Sequence, residues 1–360
     1  MGPAAWVEAN KWEHLGIMGE SMDETAGIES IPDLMLTPME CAAVSASAGV
    51  FSFRVPAHYA GLICWDDASD PLRIQVVPDI REAMIRSDES PDPLGEGGSM
   101  PVPGLVHRYP GRVLWLVASD CPIHCRFCFR RSRMVDPAAR LKASMGNGGT
   151  TGSQIPVNGN NPDSDIYRIL DYIARHPEIH EVILSGGEPL WVPQIQIHEI
   201  IDRLNNIPHV HFIRVHTRLP VAAPHILDGI PETHWKTSTI VRFVIHINHA
   251  RELSPACRAV IRRLVDGGFP VLTQSVLLAR VNDSVQTLCR LFTDISSLGA
   301  HPYYLHQLDP APGTAHFRVA DTRACALVAA VAREVPGYMV PRLVRDIPGR
   351  AAKVPLHFSP

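Results

Sequence analysis

The sequence predicts an α/β protein built on a parallel sheet, and three observations lead there. From Arg112 onward, short apolar stretches alternate with helix-length amphipathic ones. At least six such units fit between Arg112 and Gly337, and strands joined through helices run parallel. A cysteine-rich loop follows the first of these strands directly, at the carboxyl end where parallel sheets gather their active groups. Such a sheet closes wholly or partly into a barrel, or stays open and doubly wound; periodicity leaves these open.

Taken in order, residues 1–107 form an irregular, partly helical N-terminal region packing on the core. TPMECAAVSASAGVF predicts a helix starting near Thr37, since Thr37 and Glu40 have capping-box spacing. FRVPAHYAGLI and DDASDPLRIQVVPDIRE follow, with turns at Asp70-Pro71 and Val77-Pro78. Residues 88–104, rich in Pro, Gly and acidic groups, read as an extended connection. The core is expected over 108–340, with a C-terminal segment over 341–360. VLWLVAS, HEVILSG, HVHFIRVHT, TIVRFVIHIN, FPVLTQSVLL and HPYYLHQL read as strands, and YMVPRLVRDI as the last extended segment. QIQIHEIIDRLNN, SPACRAVIRRLVDGG, SVQTLCRLFTDISSLG and DTRACALVAAVAREVPG read as helices. In the second of these, Ser254 caps, Pro255 sits in the first turn and glycines stop the helix. Residues 141–163, rich in Gly, Asn, Ser and Thr, read as a surface-loop insertion.

The bulk composition narrows the classes. With 360 residues and 46% hydrophobic content there is ample core for one large domain or two. Lys+Arg number 33 against 37 Asp+Glu, a net charge of -4, so no global charge points to nucleic acid or an anionic membrane. No apolar run approaches the ~20 residues of a spanning helix, and the N-terminus has no targeting pattern. Eight cysteines in a chain this long do not suggest a disulfide scaffold, so a reducing cytoplasm is expected.

Cys121, Cys125 and Cys128 fall within eight residues, in SDCPIHCRFCFRR. Three thiolates this close can hold three irons of a [4Fe-4S] cube and leave the fourth open to a substrate or cofactor. Zinc with His124 as a further ligand is the competing reading of the triplet alone, in an enzyme or a non-enzymatic scaffold. Downstream, SGGEPL follows the strand HEVIL. Gly186 and Gly187 allow close approach or an unusual backbone angle, and Glu188 can accept from an ammonium or hydroxyl group.

The C-x3-C-x2-C order and the GGE motif together resemble the radical S-adenosylmethionine superfamily. The blocks HRYPGRVLWLVASDCPIHCRFCFRR, VILSGGEPL, IRVHTRLPV, INHARELS, QSVLLARVND, PYYLHQLDPAPGTAHFR and GYMVPRLVRDIPGRAAKVPL lie in order from His107 to Leu356. Together they resemble the lysine 2,3-aminomutase family. The chain stops seven residues after Lys353. That compact form, with FRVP and DDASDPLRIQVVP upstream, is similar to the short subgroup that makes β-lysine for elongation factor P. The insertion at 141–163 departs from both patterns.

The resemblance implies a partial (β/α)6 barrel and an isomerase that moves the α-amino group of L-lysine to the β-carbon. Related chemistry on glutamate or ornithine is the nearest rival. It implies a [4Fe-4S] cluster on Cys121, Cys125 and Cys128, S-adenosylmethionine with Glu188 at its methionyl amino group, and pyridoxal phosphate on Lys353. Arg130 would hold the substrate carboxylate, and Asp309 and Asp346 the side-chain ammonium. Arg108, Arg112 and Gln274 occupy positions suited to the cofactor phosphate. Arg214, His216 and Arg218, spaced along one strand, are expected to line the S-adenosylmethionine side or to form a strand-end network. An electron donor such as flavodoxin or ferredoxin is implied, and assembly into a homo-oligomer is left open.

Overall fold

The computed structural model describes residues 17–18, 36–47, 50–134, 165–229, 235, 238–350 and 352–357. The insertion at 141–163 lies outside them. A nine-stranded sheet organises the chain. Its strands are β1 (Leu105–Tyr109), β2 (Arg112–Ala118), β3 (Glu181–Gly186), β4 (Phe212–Thr217), β5 (Ile240–His246), β6 (Val271–Val276), β7 (His301–His306), β8 (Arg342–Arg345) and β9 (Val354–Pro355). Spatial order follows chain order from β1 to β9. Strands β2 to β8 run parallel, and β1 and β9 are antiparallel edges. Among the described residues β1 and β9 do not pair. The fold is therefore a partial (β/α) barrel, with six crossovers joining the seven parallel strands.

The longer helices are α1 (Pro38–Ser47) in the N-terminal layer, then α2 (Asp165–Arg175), α3 (Gln194–Asn205), α4 (Pro255–Asp266), α5 (Val285–Ser296) and α6 (Asp321–Glu334). Helix α2 extends the alternation read from sequence. It buries Ile166, Ile169, Leu170 and Ile173, one helical stripe. Between β4 and β5 a one-turn helix, Leu219–Ala222, and a 3-10 segment stand in for a full helix. Helix α4 starts as its sequence indicates: Ser254 Oγ accepts from the Cys257 amide at 3.1 Å, with Pro255 in the first turn. Helix α1 has its reciprocal cap. The Thr37 amide donates to Glu40 at 2.7 Å, and the Glu40 amide to Thr37 Oγ1 at 3.2 Å.

Residues alternate across the sheet as pleating requires. On β2, Val113, Trp115 and Val117 are buried with α2 residues in the main apolar core. Arg112, Leu114 and Leu116 face the other way and are half-buried. The same alternation puts Arg214, His216, His246, Gln274, Tyr304 and His306 on half-buried positions of later strands. That second face is the polar lumen. Strand β1 runs through the expected boundary at 107/108, and β8 beyond 340 is an integral strand of the sheet. Among the described residues, no helix is long and apolar enough to cross a membrane.

Candidate active site

The cysteine loop leaves the carboxyl end of β2, and the N-terminal layer braces it. Arg54 Nη1 donates to Asp120 and to the Cys121 carbonyl, both at 2.7 Å. The Arg126 amide donates to the Gln75 carbonyl at 2.8 Å. The Arg126 guanidinium meets both Glu82 oxygens, at 2.9 and 2.6 Å, and Arg131 meets the same carboxylate. Arg218 Nη1 donates to Cys125 Sγ at 2.6 Å, while its Nη2 reaches Gln75 and Glu252, both at 2.8 Å. His124 turns away: its Nδ1 donates to the Ser52 carbonyl at 2.8 Å and its ring stacks on Phe51. The structure therefore does not favour His124 as a fourth zinc ligand beside the thiols.

Burial raises the pKa of all three thiols, Cys128 to about 11; neighbouring cysteines raise Cys121 and Cys128 further, whereas Arg218 pulls Cys125 down. They therefore need a positive partner to ionise. Among the described residues no three His, Cys, Asp or Glu side chains converge on one ion. A four-iron cube makes no such demand, because each thiolate meets its own iron. Three cysteines without a fourth ligand, in a pocket that carries Arg218, fit that cluster.

The glycine pair has a definite mechanical reason. Gly186 has φ +116°, and a Cβ there would lie 2.4 Å from the Ala118 carbonyl; at Gly187 it would lie 2.1 Å from that of Asp120. The Gly187 and Glu188 amides donate to those carbonyls at 2.6 and 2.9 Å. The close approach is thus made by the backbone leading into the cysteines. Glu188 is buried; it accepts from the Arg218 amide at 2.7 Å and the Leu190 amide at 3.2 Å, and burial pushes its carboxyl up to about 7.

Next to this loop stands Arg130, buried. Its Nη1 donates to Ser185 Oγ at 3.0 Å and to the Gly186 carbonyl at 3.4 Å. Its Nε and Nη2 grip both oxygens of Glu96, at 3.1 and 2.6 Å. Thus one two-pronged edge of Arg130 is already taken. Asp309 follows β7. Among the described residues its carboxylate has no hydrogen-bond or ion-pair partner. Loss of hydration raises it to about 6, with Lys353 and Arg130 pulling it down and Glu96 pushing it up.

Lys353 sits at the edge strand β9, and its ammonium is held by Asp346. Asp346 also meets Arg108 at 3.5 Å and Tyr109 Oη at 3.4 Å. Burial lowers Lys353 to about 8; Asp309 opposes that, while Arg108, Arg214 and Arg112 add to it. Arg112 lies over the Tyr109 ring and has no acidic partner among the described residues. Gln274 pairs in register with His246 and Tyr304. Buried nitrogens without partners along the lumen include Nε2 of His216, His246 and His306, and Nε of Arg214; beside the cysteines, His124 Nε2 and Arg218 Nε are likewise unpartnered. Burial holds the three lumen histidines neutral. An amine near neutrality, a cluster of guanidinium groups and unpartnered polar atoms fit an aldehyde cofactor that carries a phosphate.

The trio on β4 and just beyond its end separates. Arg218 goes to Cys125, whereas Arg214 pairs with Glu181 at 2.7 Å and, with His216, belongs to the Lys353 group. Alternate residues of a strand share a face but climb ~6.6 Å per step, so one strand reaches both ends. Sequence reading passed over Glu96, Glu252 and Tyr304. Glu96 lies in the acidic 88–104 connection, and its burial was the missing signal.

A polar lumen in a partial (β/α) barrel, with three cysteines at the end of its first parallel strand, defines a radical S-adenosylmethionine protein. The Radical SAM superfamily model matches residues 115–292. The chain is 37% identical over 308 residues to an L-lysine 2,3-aminomutase of Escherichia coli K12, covering 85% of this chain and 84% of that protein. It is 33% identical over 311 residues to that of Buchnera aphidicola, with 86% and 85% coverage. It is 32% identical over 333 residues to that of Acetoanaerobium sticklandii, with 91% and 76% coverage. The chain belongs to the L-lysine 2,3-aminomutase family.

Proposed function

We propose that the protein is an L-lysine 2,3-aminomutase that moves the α-amino group of L-lysine to the β-carbon. The observation that carries this reading is the unpaired carboxylate of Asp309 beside Lys353, Asp346 and Arg130. A half-buried carboxylate that has no hydrogen-bond or ion-pair partner among the described residues favours a cation beside it. The ε-ammonium of lysine supplies it while the substrate carboxylate faces Arg130. Asp346 serves the same ammonium once Lys353 has been engaged elsewhere.

When bound, the cluster with S-adenosylmethionine supplies a radical, and pyridoxal phosphate on Lys353 supplies a π-system that carries the migrating nitrogen. The chain's own residues do the rest. Cys121, Cys125 and Cys128 hold the cluster. Glu188, with its oxygens already oriented by two amides, accepts from the methionyl ammonium. Arg108, Arg112 and Gln274 take the phosphate, with Arg214 and His216 beside them. Asp346 holds the Lys353 amine in place, and burial keeps that amine near neutrality so that it can attack an aldehyde. A one-electron donor such as flavodoxin or ferredoxin would supply the electron that the cluster needs. The FRVP and DDASDPLRIQVVP blocks support supply of β-lysine for elongation factor P.

The test is an anaerobic assay with S-adenosylmethionine, pyridoxal phosphate and reductant, offering lysine, ornithine and glutamate in parallel. β-Lysine should dominate on chiral chromatography, and borohydride should leave a pyridoxyl label on Lys353. Preference for glutamate refutes the substrate; preference for ornithine keeps the ammonium recognition and corrects the depth of the pocket.

A further inference from the structure

The segment 88–97, an irregular connection in sequence, touches both poles of the substrate pocket. At the Asp309 pole, the Ser90 amide donates to the Pro310 carbonyl at 2.8 Å. Glu89 accepts from the Gly313 and Ala315 amides, both at 3.0 Å. At the Arg130 pole, Asp92 accepts from the Glu96 and Gly97 amides, at 2.9 and 2.8 Å, and so fixes the backbone that carries Glu96. Glu96 then meets Arg130 with both oxygens, and its side chain is only 7% exposed.

We infer that Glu96 is a positioning residue that sets substrate specificity. It holds the Nε–Nη2 edge of Arg130, leaves the second Nη2 proton to the substrate carboxylate, and opposes amino acids with anionic side chains. The donor inventory supports the first part. A guanidinium has five N–H groups; Glu96 takes two, and Ser185 and the Gly186 carbonyl engage Nη1. One free Nη2 proton remains, beside an Nη1 already bonded to Ser185. The charge count supports the second part. Arg130, Lys353, Arg108, Arg112 and Arg214 carry five positive charges against the four negative ones of Glu96, Asp309, Asp346 and Glu181. Removing Glu96 leaves the pocket one charge more positive, which favours an anionic ligand. Glu96 acts through Arg130 and through the field at Asp309, without touching substrate.

This rests on the lysine reading, and the experiment separates the two. Dissociation constants for lysine and glutamate are measured by calorimetry on protein loaded with pyridoxal phosphate but lacking S-adenosylmethionine, so nothing turns over. Steady-state lysine kinetics are run alongside. Glu96→Gln keeps the volume and removes the charge. Lysine affinity should fall roughly 10- to 100-fold, the range of a lost charge-assisted hydrogen bond. The rise in KM should exceed the fall in kcat, and the preference for lysine over glutamate should narrow by about tenfold or more. Glu96→Asp keeps the charge and shortens the reach. Lysine should bind more weakly with its preference over glutamate retained, and this variant carries the test if the first does not fold. Equal weakening of both ligands in Glu96→Gln, or unchanged lysine affinity in either variant, overturns the inference. A wild type that neither binds lysine nor makes β-lysine overturns the functional reading instead.

Discussion

The two ends of the lumen are built on opposite principles. Around the cysteine loop nearly every charge has a partner inside the protein. Glu82 serves both Arg126 and Arg131, Glu252 serves Arg218, and Asp120 serves Arg54. Around Lys353 fewer groups are partnered among the described residues. Asp309 has no partner there, Arg112 has only an aromatic ring, and the buried Nε2 atoms of His216 and His306 are unbonded. The first region is a socket finished by folding, where paired charges fix one geometry. The second is finished by its ligands, and an unpaired polar group there costs stability until something binds.

The largest expected effect breaks the first region at its centre. Cys128→Ala should abolish cluster loading and all turnover, read as iron content and deoxyadenosine formation. Wild-type iron and activity in that variant would remove the premise of the cysteine site.

Glu82→Gln sharpens the contrast. It leaves Arg126 and Arg131 buried without a counter-charge, and breaking a buried ion pair costs about 3–5 kcal/mol. The denaturation midpoint of the protein before cluster loading should therefore drop sharply. Asp309→Asn, in the other region, should do the reverse: unchanged or higher midpoint, with lysine recognition weakened by about 2–5 kcal/mol. If Asp309→Asn proved as destabilising as Glu82→Gln, the two ends would not differ in the way described.

The smallest effect lies in pH. Asp309 is raised from 3.8 to about 6 in the folded protein. A carboxyl raised on folding contributes stability that is fully present below its unfolded value and lost as pH rises through the folded one. At neutral pH this is a penalty on the order of 2–3 kcal/mol, which Asp309→Asn removes. Lysine binding needs the ionised form, so affinity should fall as pH drops through about 6. Binding isotherms between pH 5 and 8 check this; a flat profile over pH 5–7 would separate Asp309 from ammonium recognition.

Much of this molecule was legible in its sequence because the signals are local. Thr37 with Glu40 and Ser254 with Pro255 mark helix starts through contacts a few residues apart, and both caps form. Six strand segments alternating with helices mark a parallel sheet, and Cys121, Cys125 and Cys128 mark a metal loop by spacing alone. Helix α2 shows the limit: its stripe from Ile166 to Ile173 follows the Gly- and Asn-rich insertion and was passed over, although the periodicity is there. Tertiary structure decided what local pattern cannot carry. Strand order and the unjoined edges made a partial barrel out of three possibilities. Gly186 and Gly187 read as room for a close approach or an unusual backbone angle, and the angle is there at Gly186, but only the folded chain brings the Ala118 and Asp120 carbonyls onto them. Arg214 on β4 and Arg218 just past its end look alike in sequence, and only the lumen sends one to Lys353 and the other to Cys125. Glu96 meets Arg130, 34 positions further along the chain. Spacing and composition record what neighbours along the chain must do. Which buried charge meets which depends on how distant segments pack, and there desolvation makes each pairing, or its absence, decisive.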